Sequence, residues 1–259
     1  MTARRTITLV RDGFPDPPTL DTAVSRAIVT RVARGDLLET LRLHRPGAIV
    51  AFGPKDRLER GFSDAVRAAH ERGFASIHRL AGGRAAVFHQ NTIAFSWAIR
   101  DEQARLRIAE RFDAIASLMA EAFRSVGVDA RIGEVPGEYC PGNHSVNARG
   151  ERKLMGVGQR IVKGAAHVGG VVVVGGSDRV RDVLVPVYGA LGLAWDPDTT
   201  GALEDEVPGV TCDDAERAIV DAFSSRFDVL EGTVDADTLA LARTFEPDHV
   251  VRVPASATA

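Results

Sequence analysis

Cysteine is scarce in this chain of 259 residues, which contains only Cys140 and Cys212. Two cysteines are too few for a disulfide framework, and we expect no structural disulfide. The sequence also lacks the CxxC and HExxH patterns and the GxxxxGK(S/T) phosphate loop. These absences exclude the commonest zinc, redox and P-loop motifs, and we predict no metal site.

Long apolar runs are absent as well. The run worth checking, residues 168–174, contains two glycines and is far shorter than the roughly 20 residues that a bilayer-spanning helix needs. The amino-terminal segment has only a four-residue apolar stretch, interrupted by Thr8, and so lacks the apolar core of a secretion signal. We therefore expect a cytoplasmic protein without a membrane partner.

Neither sign of charge dominates the chain. It has 32 Lys and Arg against 35 Asp and Glu, which gives a formal net charge of −3. Nucleic-acid-binding domains usually carry a clear basic excess, so the composition predicts no nucleic-acid partner. Residues of the hydrophobic set make up 45% of the chain, which is enough to bury a large core.

The hydrophobic pattern predicts a mixture of strands and helices. Predicted helices span residues 20–34, 101–126, 179–191, 213–227 and 235–245. Predicted strands include residues 6–10, 92–99, 153–161 and 166–174. Gly35 is expected to end the first helix. Because the strands are grouped in the first two thirds and helices dominate the end, the pattern favours the α+β class over a regular βαβ repeat.

A first segment that could carry chemistry surrounds a pair of glycines, Gly82 and Gly83. Paired glycines let the main chain approach a ligand closely, and Arg79 and Arg84 add positive charge for a carboxylate or phosphate. A hairpin turn with solvated arginines is the alternative interpretation.

A second segment places Cys140 in a turn rich in glycine and proline, residues 137–144. A thiol in a turn is more accessible than one in an apolar helix. An ordinary thiol is only slightly ionised at neutral pH, so a neighbouring cation or base would have to activate it. His144, Lys153 and Arg84 are the candidates. Cys212, at the start of a predicted helix, is interpreted as structural.

A third segment, residues 152–170, joins two predicted strands. Lys153 begins the first strand, and Gly156 leaves room for a ligand or for close strand packing. His167 lies between an alanine and a valine, which is more typical of a core histidine than of a catalytic one. None of the three segments decides the function alone.

Taken in order, these segments resemble the biotin/lipoate protein ligase superfamily. Ile49-Val-Ala-Phe-Gly-Pro-Lys-Asp looks like its early strand and turn, and Arg79-Leu-Ala-Gly-Gly-Arg-Ala like its glycine-pair element. Lys153-Leu-Met-Gly-Val-Gly-Gln-Arg looks like the element with the acyl-site lysine. Ala166-His-Val-Gly-Gly-Val looks like its His-x-Gly-Thr strand. Four matches in the right order make the resemblance specific.

The resemblance implies a catalytic domain like those of class II aminoacyl-tRNA synthetases and biotinyl-lipoyl ligases, with a mixed or antiparallel sheet and flanking helices. We assign residues 1–205 to this domain and residues 206–250 to a small helical extension of it. Residues 251–259 are expected to be a disordered tail. The resemblance places Arg79, Gly82, Gly83, Arg84, Gly156, Gln159 and His167 in the substrate-binding site.

Cys140 lies thirteen residues before Lys153, which resembles the octanoyl transferase branch of the superfamily. The resemblance implies that the Cys140 thiolate takes an octanoyl or lipoyl group from a carrier protein, while Lys153 stabilises developing charge. The donor would be an acyl-carrier protein or an octanoyl or lipoyl H protein. The acceptor would be a lysine of a lipoyl domain or H protein, and no cofactor would be required. Val87, Phe88 and Val157 are candidate linings for the acyl chain.

Two alternatives stay open at this point. The same glycine and lysine elements occur in ATP-dependent lipoate–protein ligases, which would need ATP and Mg and would form an acyl-adenylate. A non-catalytic module that binds an acyl group or a lipoyl domain is the other alternative. Ala81 motivates it, because the family has Ser or Thr there, and so does Phe88, where many members have His.

Overall fold

The computed structural model describes residues 4–252. Within this range the strands are β1 (Thr6–Val10), β2 (Thr40–His44), β3 (Ile49–Phe52), β4 (Ala75–His78), β5 (Ala86–Phe88), β6 (Thr92–Arg100), β7 (Ala130–Ile132), β8 (Val146–Ala148), β9 (Arg152–Val162), β10 (Ala165–Val173) and β11 (Asp228–Gly232). The α-helices are α1 (Leu20–Arg34), α2 (Phe62–His70), α3 (Ile108–Ser125), α4 (Ser177–Ala190), α5 (Leu203–Glu206), α6 (Cys212–Ser224) and α7 (Ala236–Phe245). None of the described helices is both long enough and apolar enough to cross a bilayer.

Eight strands form a large mixed sheet in the order β11-β1-β2-β6-β10-β9-β8-β7. Strand β1 is parallel to both of its neighbours, and the pairs from β2 to β7 are antiparallel. A small sheet of three strands has the order β4-β3-β5. The α+β architecture is therefore confirmed.

Side chains that alternate along the strands of the large sheet pack into two separate hydrophobic cores. On β2 and β6, Leu41, Leu43 and Trp97 pack with α3 and α6, and the Trp97 ring meets Phe223 edge-on at 5.3 Å. Helices α1 and α7 pack together against Ala98 and Ala165 of the large sheet. Because successive strand residues point to opposite faces, one sheet serves two helical layers.

The small sheet is divided in the same way. One of its faces packs on α2 and α4 through residues such as Val50 and Val87. Its other face presents Ile49, Ile77 and Phe88 to a cavity. This inter-sheet cavity lies between the small sheet, α1 and the middle strands of the large sheet. The fold thus creates an internal space beside the glycine-pair segment.

Several sequence predictions are confirmed at the level of single elements. Helix α1 spans the predicted residues, and Gly35, with φ +85°, ends it. The longest helix begins at Ile108, so the predicted start at residue 101 was wrong. The Asp101 carboxylate instead accepts the Gln103 N–H at 2.9 Å and pairs with Arg111 at 2.8 Å. These contacts provide partners for polar groups in the turn that precedes the helix.

The carboxyl-terminal region differs from the prediction in one respect. Residues 206–250 contain α6 and α7, but they also contribute β11, which pairs in parallel with β1 along its whole length. The region is therefore not only helical. The signal was missed because β11 is a half-exposed edge strand without a clear apolar face. Of the predicted tail, residues 253–259 lie outside the described residues, while Val251 packs against the α2/α4 core.

Candidate active site

Cys140 lies in the turn before β8, where its main chain is held in an unusual conformation. Its φ is +44°, in the left-handed region that residues other than glycine seldom adopt. The Cys140 N–H donates to the Tyr188 hydroxyl at 3.0 Å, and that hydroxyl donates to the Ala85 carbonyl at 3.0 Å. Strained backbone persists where neighbouring groups hold it, and such positions cluster at functional sites.

The sulfur atom of Cys140 receives two donors from the glycine-pair segment. The Arg84 main-chain N–H lies 3.2 Å from Sγ, and Arg79 Nη1 lies 3.8 Å from it. The same Nη1 donates to the Arg84 carbonyl at 2.9 Å, which fixes the guanidinium beside the thiol. A cation and an amide N–H both stabilise negative charge on sulfur.

The backbone conformation at position 83 and the small space around it both require glycine. Gly83 has φ +114°, and a Cβ built on it would lie 2.8 Å from Arg79 Nη1 and 2.9 Å from Cys140 Sγ. Its carbonyl packs on Gly53, where a Cβ would approach it to 1.7 Å. Gly82 contacts β9 through its carbonyl, which lies 2.9 Å from a Cβ built on Gly158. The two glycines let this segment lie directly on the thiol.

Lys153 is 1% exposed, and its ammonium group has one acceptor for each of its three protons. Nζ donates to Glu138 Oε1 at 2.9 Å, to the Tyr139 carbonyl at 2.9 Å and to the Cys140 carbonyl at 2.8 Å. These bonds use its three protons, so Lys153 holds the turn that carries the thiol. The expected direct action on an acyl oxygen requires one of these bonds to break. A Cβ on Gly156 would lie 3.2 Å from Lys153 Cε, so this glycine makes room for the lysine.

Glu138 was not singled out from the sequence, although it organises the same turn. Its carboxylate accepts from Lys153, from the Ser145 hydroxyl at 2.6 Å and from the main-chain N–H groups of Val135 and Gly142, both at 3.1 Å. The carboxylate is buried, so this full set of donors is what permits its charge. The available signal was an acidic residue two positions before the cysteine.

Tyr188 was also missed, since it lies on α4, 48 residues after Cys140. Burial raises the pKa of its phenol well above the usual value, with a smaller contribution from Cys140. The hydroxyl therefore stays neutral, and it serves as both acceptor and donor in this site.

The Arg84 side chain, one of the three candidates to activate the thiol, points away from the sulfur. Its Nη1 lies 2.7 Å from Glu59 and 3.3 Å from the buried Asp56. Arg84 contacts the thiol through its main chain instead. Arg79 is the residue whose guanidinium reaches the sulfur.

Gln159 and His144 both border the approach to Cys140 without bonding to its sulfur. The Gln159 amide accepts from Arg111 at 3.0 Å and donates to the Ile108 carbonyl at 2.8 Å, which ties β9 to α3. His144 Nε2 lies 3.0 Å from Asp113 Oδ1. His144, another of the three candidates to activate the thiol, is thus paired with a carboxylate and not with the sulfur.

Two surface grooves meet at Cys140. We call the first the Phe112 groove; its lining includes Gly82, Gly83, Phe112, Cys140, His144, Val157 and Gln159. We call the second the Tyr188 groove; its lining includes Lys55, Gly83, Arg84, Glu134, Cys140 and Tyr188. Cys140, which is partly exposed, belongs to both linings, so the two grooves meet at the residue that carries the thiol.

The inter-sheet cavity lies on the other side of the glycine-pair segment. Arg79, Leu80 and Ala81 line it, together with His167 and the apolar face of the small sheet. Burial, with Arg79 as a further cause, lowers the pKa of His167 to about 3, so its imidazole is neutral. Phe88 lines this cavity and Val157 lines the Phe112 groove.

Two further expectations concern residues outside this site. Val87 was expected to line the acyl site but is buried in the α2/α4 core, because it points to the opposite face of β5 from Phe88. The second expectation concerns Cys212, which is a free cysteine. Burial raises the pKa of the Cys212 thiol, which agrees with a structural role.

Cys140 thus lies beside the glycine-pair segment in a turn held by the buried Lys153–Glu138 pair. The family model for the lipoyl protein ligase A/B catalytic domain matches residues 17–224. The chain belongs to this family, as its sequence elements predicted.

Curated relatives agree with this assignment. The chain is 28% identical over 188 residues to an octanoyl-GcvH:protein N-octanoyltransferase of Geobacillus kaustophilus, an alignment that covers 73% of this chain and 66% of the relative. A protein of the same name from an Exiguobacterium species is 28% identical over 166 residues, covering 60% and 59%. The alignments thus span about two thirds or less of these relatives.

Two solved structures share the fold. One is a bi-partite lipoate protein ligase from Thermoplasma acidophilum, studied with its E2 lipoyl domain, with a TM-score of 0.75, 20% identity and coverage of 95% of this chain and 93% of that chain. The other is a lipoate-protein ligase A bound with ATP, with a TM-score of 0.70, 21% identity and coverage of 93% and 94%.

Proposed function

We propose that this protein is an acyltransferase that moves an octanoyl or lipoyl group between carrier proteins through a thioester on Cys140. The observation that carries the proposal is the position of Cys140: its Sγ accepts from the Arg84 N–H and from Arg79, and the residue lines two grooves at once. The names of the curated relatives support the same activity.

In the first step the Cys140 sulfur attacks the acyl carbonyl of the donor. The new carbon–sulfur bond forms while the donor's amide carbon–nitrogen bond, or its thioester carbon–sulfur bond, breaks. The leaving amine or thiol takes up the proton that the Cys140 thiol gives up. Arg79 and the Arg84 N–H stabilise the sulfur anion before attack and lie close to the oxygen that becomes negative during it.

In the second step a lysine amine of the acceptor attacks the acyl-enzyme. A carbon–nitrogen bond forms, the carbon–sulfur bond to Cys140 breaks, and a proton of the neutral amine passes to the Cys140 sulfur. Two grooves meeting at one sulfur suit this sequence, since a donor and an acceptor can approach in turn. An acyl-carrier protein or an acylated H protein is the proposed donor, and a lipoyl domain or H protein is the proposed acceptor.

The inter-sheet cavity is the proposed site of the acyl chain. Ile49, Ile77 and Phe88 give it an apolar wall, and neutral His167 adds no charge. Burial of each methylene of a saturated chain contributes about 0.8 kcal/mol, so an apolar cavity favours an acyl chain over a polar group. Arg79 and the Gly82–Gly83 segment lie between this cavity and the sulfur.

Transfer from a thioester or amide requires no ATP, whereas the ligase alternative requires ATP and Mg. The test is intact-mass analysis of the protein after exposure to octanoyl-carrier protein or octanoyl H protein without ATP. We expect a thiol-linked octanoyl adduct that passes to an added lipoyl domain.

Variants of the two free cysteines make the test specific. Cys140→Ser should abolish the adduct, and Cys212→Ser, at a residue far from the site in sequence and outside both grooves, should retain it. Modification of the lipoyl domain that needs ATP and free octanoate and survives Cys140→Ser would establish the ligase instead. Tight acyl binding without any transfer would leave only the non-catalytic module.

A further inference from the structure

A second proton-transfer group is needed for the step in which the acceptor lysine attacks the acyl-enzyme. A lysine amine has an ordinary pKa of about 10.4, so only roughly one amine in a few thousand is unprotonated at pH 7. The amine must therefore lose a proton near the thioester. A general base beside the attacking nitrogen accelerates such a step by about 100- to 10,000-fold.

Lys153 does not fit this role in the arrangement observed. Its Nζ donates to one carboxylate oxygen and two carbonyl oxygens, all within 2.9 Å. These atoms are acceptors, so the nitrogen that serves them is an ammonium group without a lone pair. Its buried partner Glu138 is equally committed, since its carboxylate already accepts four hydrogen bonds.

The Phe112 groove contains a different candidate. His144 lines this groove together with Cys140, and its Nε2 lies 3.0 Å from Asp113 Oδ1. A carboxylate only accepts hydrogen bonds, so it orients the ring with the proton on Nε2 and leaves Nδ1 with a lone pair. The ring also stacks on Phe112, with 5.0 Å between centroids, which restricts its rotation.

No other side chain of this groove is a suitable base. The Ser145 hydroxyl donates to Glu138 at 2.6 Å, and the Gln159 amide is bonded to α3. Among the residues that line the Phe112 groove, Cys140 provides the thiol and His144 provides the imidazole. The groove therefore brings one nucleophile and one oriented imidazole to the same surface.

We propose that His144 is the general base for the acceptor lysine and that Asp113 is its positioning residue, with the acceptor entering along the Phe112 groove. His144 Nδ1 takes the proton that the ammonium group of the acceptor lysine must lose, and the neutral amine then attacks the thioester. As the carbon–nitrogen bond forms and the carbon–sulfur bond breaks, the second proton of the amine passes to the Cys140 sulfur. His144 gives its proton to water, so the enzyme ends the cycle unchanged. This inference rests on the proposed acyltransferase function.

The test measures discharge of a preformed acyl-enzyme by two nucleophiles in single turnovers. One nucleophile is a lipoyl domain, whose lysine needs a base, and the other is hydroxylamine, which is largely unprotonated at neutral pH. In His144→Gln the amide retains an N–H for Asp113 but lacks a basic ring nitrogen. We expect it to slow discharge to the lysine about 100-fold or more and to leave discharge to hydroxylamine within about twofold.

Three further measurements complete the design. Added imidazole should restore part of the lysine reaction of His144→Ala, Asp113→Asn should show a smaller loss that is again confined to the lysine reaction, and His70→Gln, on the exposed end of α2, should behave as the unmodified protein. If His144→Gln acylates normally but slows discharge to both nucleophiles equally, or to neither, the proposed role of His144 is overturned and the proposed function is not. Failure of the unmodified protein to form any acyl-enzyme would overturn the proposed function and this inference with it.

Discussion

Lys153 Nζ donates a hydrogen bond of 2.8 Å to the main-chain oxygen of Cys140. The lysine thus acts on the candidate nucleophile through the backbone from which the thiol projects. The ammonium charge of Lys153 is balanced by Glu138, whose Oε1 lies 2.9 Å from Nζ, and both side chains are almost fully buried. Breaking such a buried pair by changing one partner leaves an uncompensated charge.

Lys153→Met should therefore destabilise the fold by about 3–5 kcal/mol. Urea unfolding followed by circular dichroism measures this loss. In the double variant Lys153→Met/Glu138→Gln the unpaired charge is gone, so part of the stability should return. Acylation of Cys140 should stay at least about tenfold slower, because the Tyr139 and Cys140 carbonyls still lack their donor. Unchanged stability of the single variant would show that the pair is not buried as described.

Gly83→Ala should slow acylation of Cys140 strongly, since the added Cβ would lie within 2.9 Å of both Arg79 Nη1 and the sulfur. We expect a loss of about 100-fold or more, because small displacements at a reacting centre have effects of this size. Gly73→Ala is the matched control: it has φ +76° and nothing within 4 Å of the new Cβ. It should lower stability by about 1 kcal/mol through backbone strain and leave acylation unchanged. Similar acylation rates in the two variants would refute the steric argument.

Tyr188→Phe removes the hydroxyl that joins the Cys140 N–H to the Ala85 carbonyl. Two buried main-chain groups would lose their partner, so we expect a loss of about 1–3 kcal/mol in unfolding free energy and slower acylation. Tyr139→Phe is the comparison, because the described residues provide no hydrogen-bond partner for its hydroxyl while its ring packs on Trp195 at 5.9 Å. If both variants lose the same stability, the Tyr188 bridge contributes nothing particular to the site.

The stability of the protein should fall on mild acidification. Burial lowers the pKa of His89 to about 4 and that of His167 to about 3, whereas an unfolded histidine titrates near 6.5. Between these values the unfolded chain binds protons that the folded chain excludes, so the unfolding free energy decreases as pH falls below about 6.5. Each such histidine contributes up to about 1.4 kcal/mol per pH unit.

Unfolding curves at pH 7, 6 and 5 would measure this slope. His89 lies outside both grooves and the inter-sheet cavity. His89→Gln should reduce the slope of unfolding free energy against pH by up to the amount that one bound proton contributes, whatever the stability of the variant at pH 7. His70→Gln, at an exposed position, should leave the slope unchanged. A slope unaffected by His89→Gln would mean that this imidazole is protonated in the folded protein.

Local sequence patterns were sufficient for many of the secondary-structure elements. Helix α1 and strand β1 follow the predicted bounds, because a regular apolar period and a glycine stop are short-range signals. Strand β11 escaped detection because an exposed edge strand buries too little to show a pattern. The start of α3 was predicted too early. Asp101 belongs to a turn that contacts Arg111, ten residues further along the chain, and a local hydrophobic period does not reveal such a contact.

The order and spacing of the glycine, cysteine and lysine elements were enough to predict the family and to single out Cys140. The contacts within the site required the tertiary structure. Only the folded chain brings Arg79 rather than the Arg84 side chain to the sulfur, places Tyr188 under the Cys140 N–H and commits all three Lys153 protons to one turn. The physical reason is that residue type and spacing are local properties, whereas hydrogen-bond partners depend on how distant segments pack around the same buried charge.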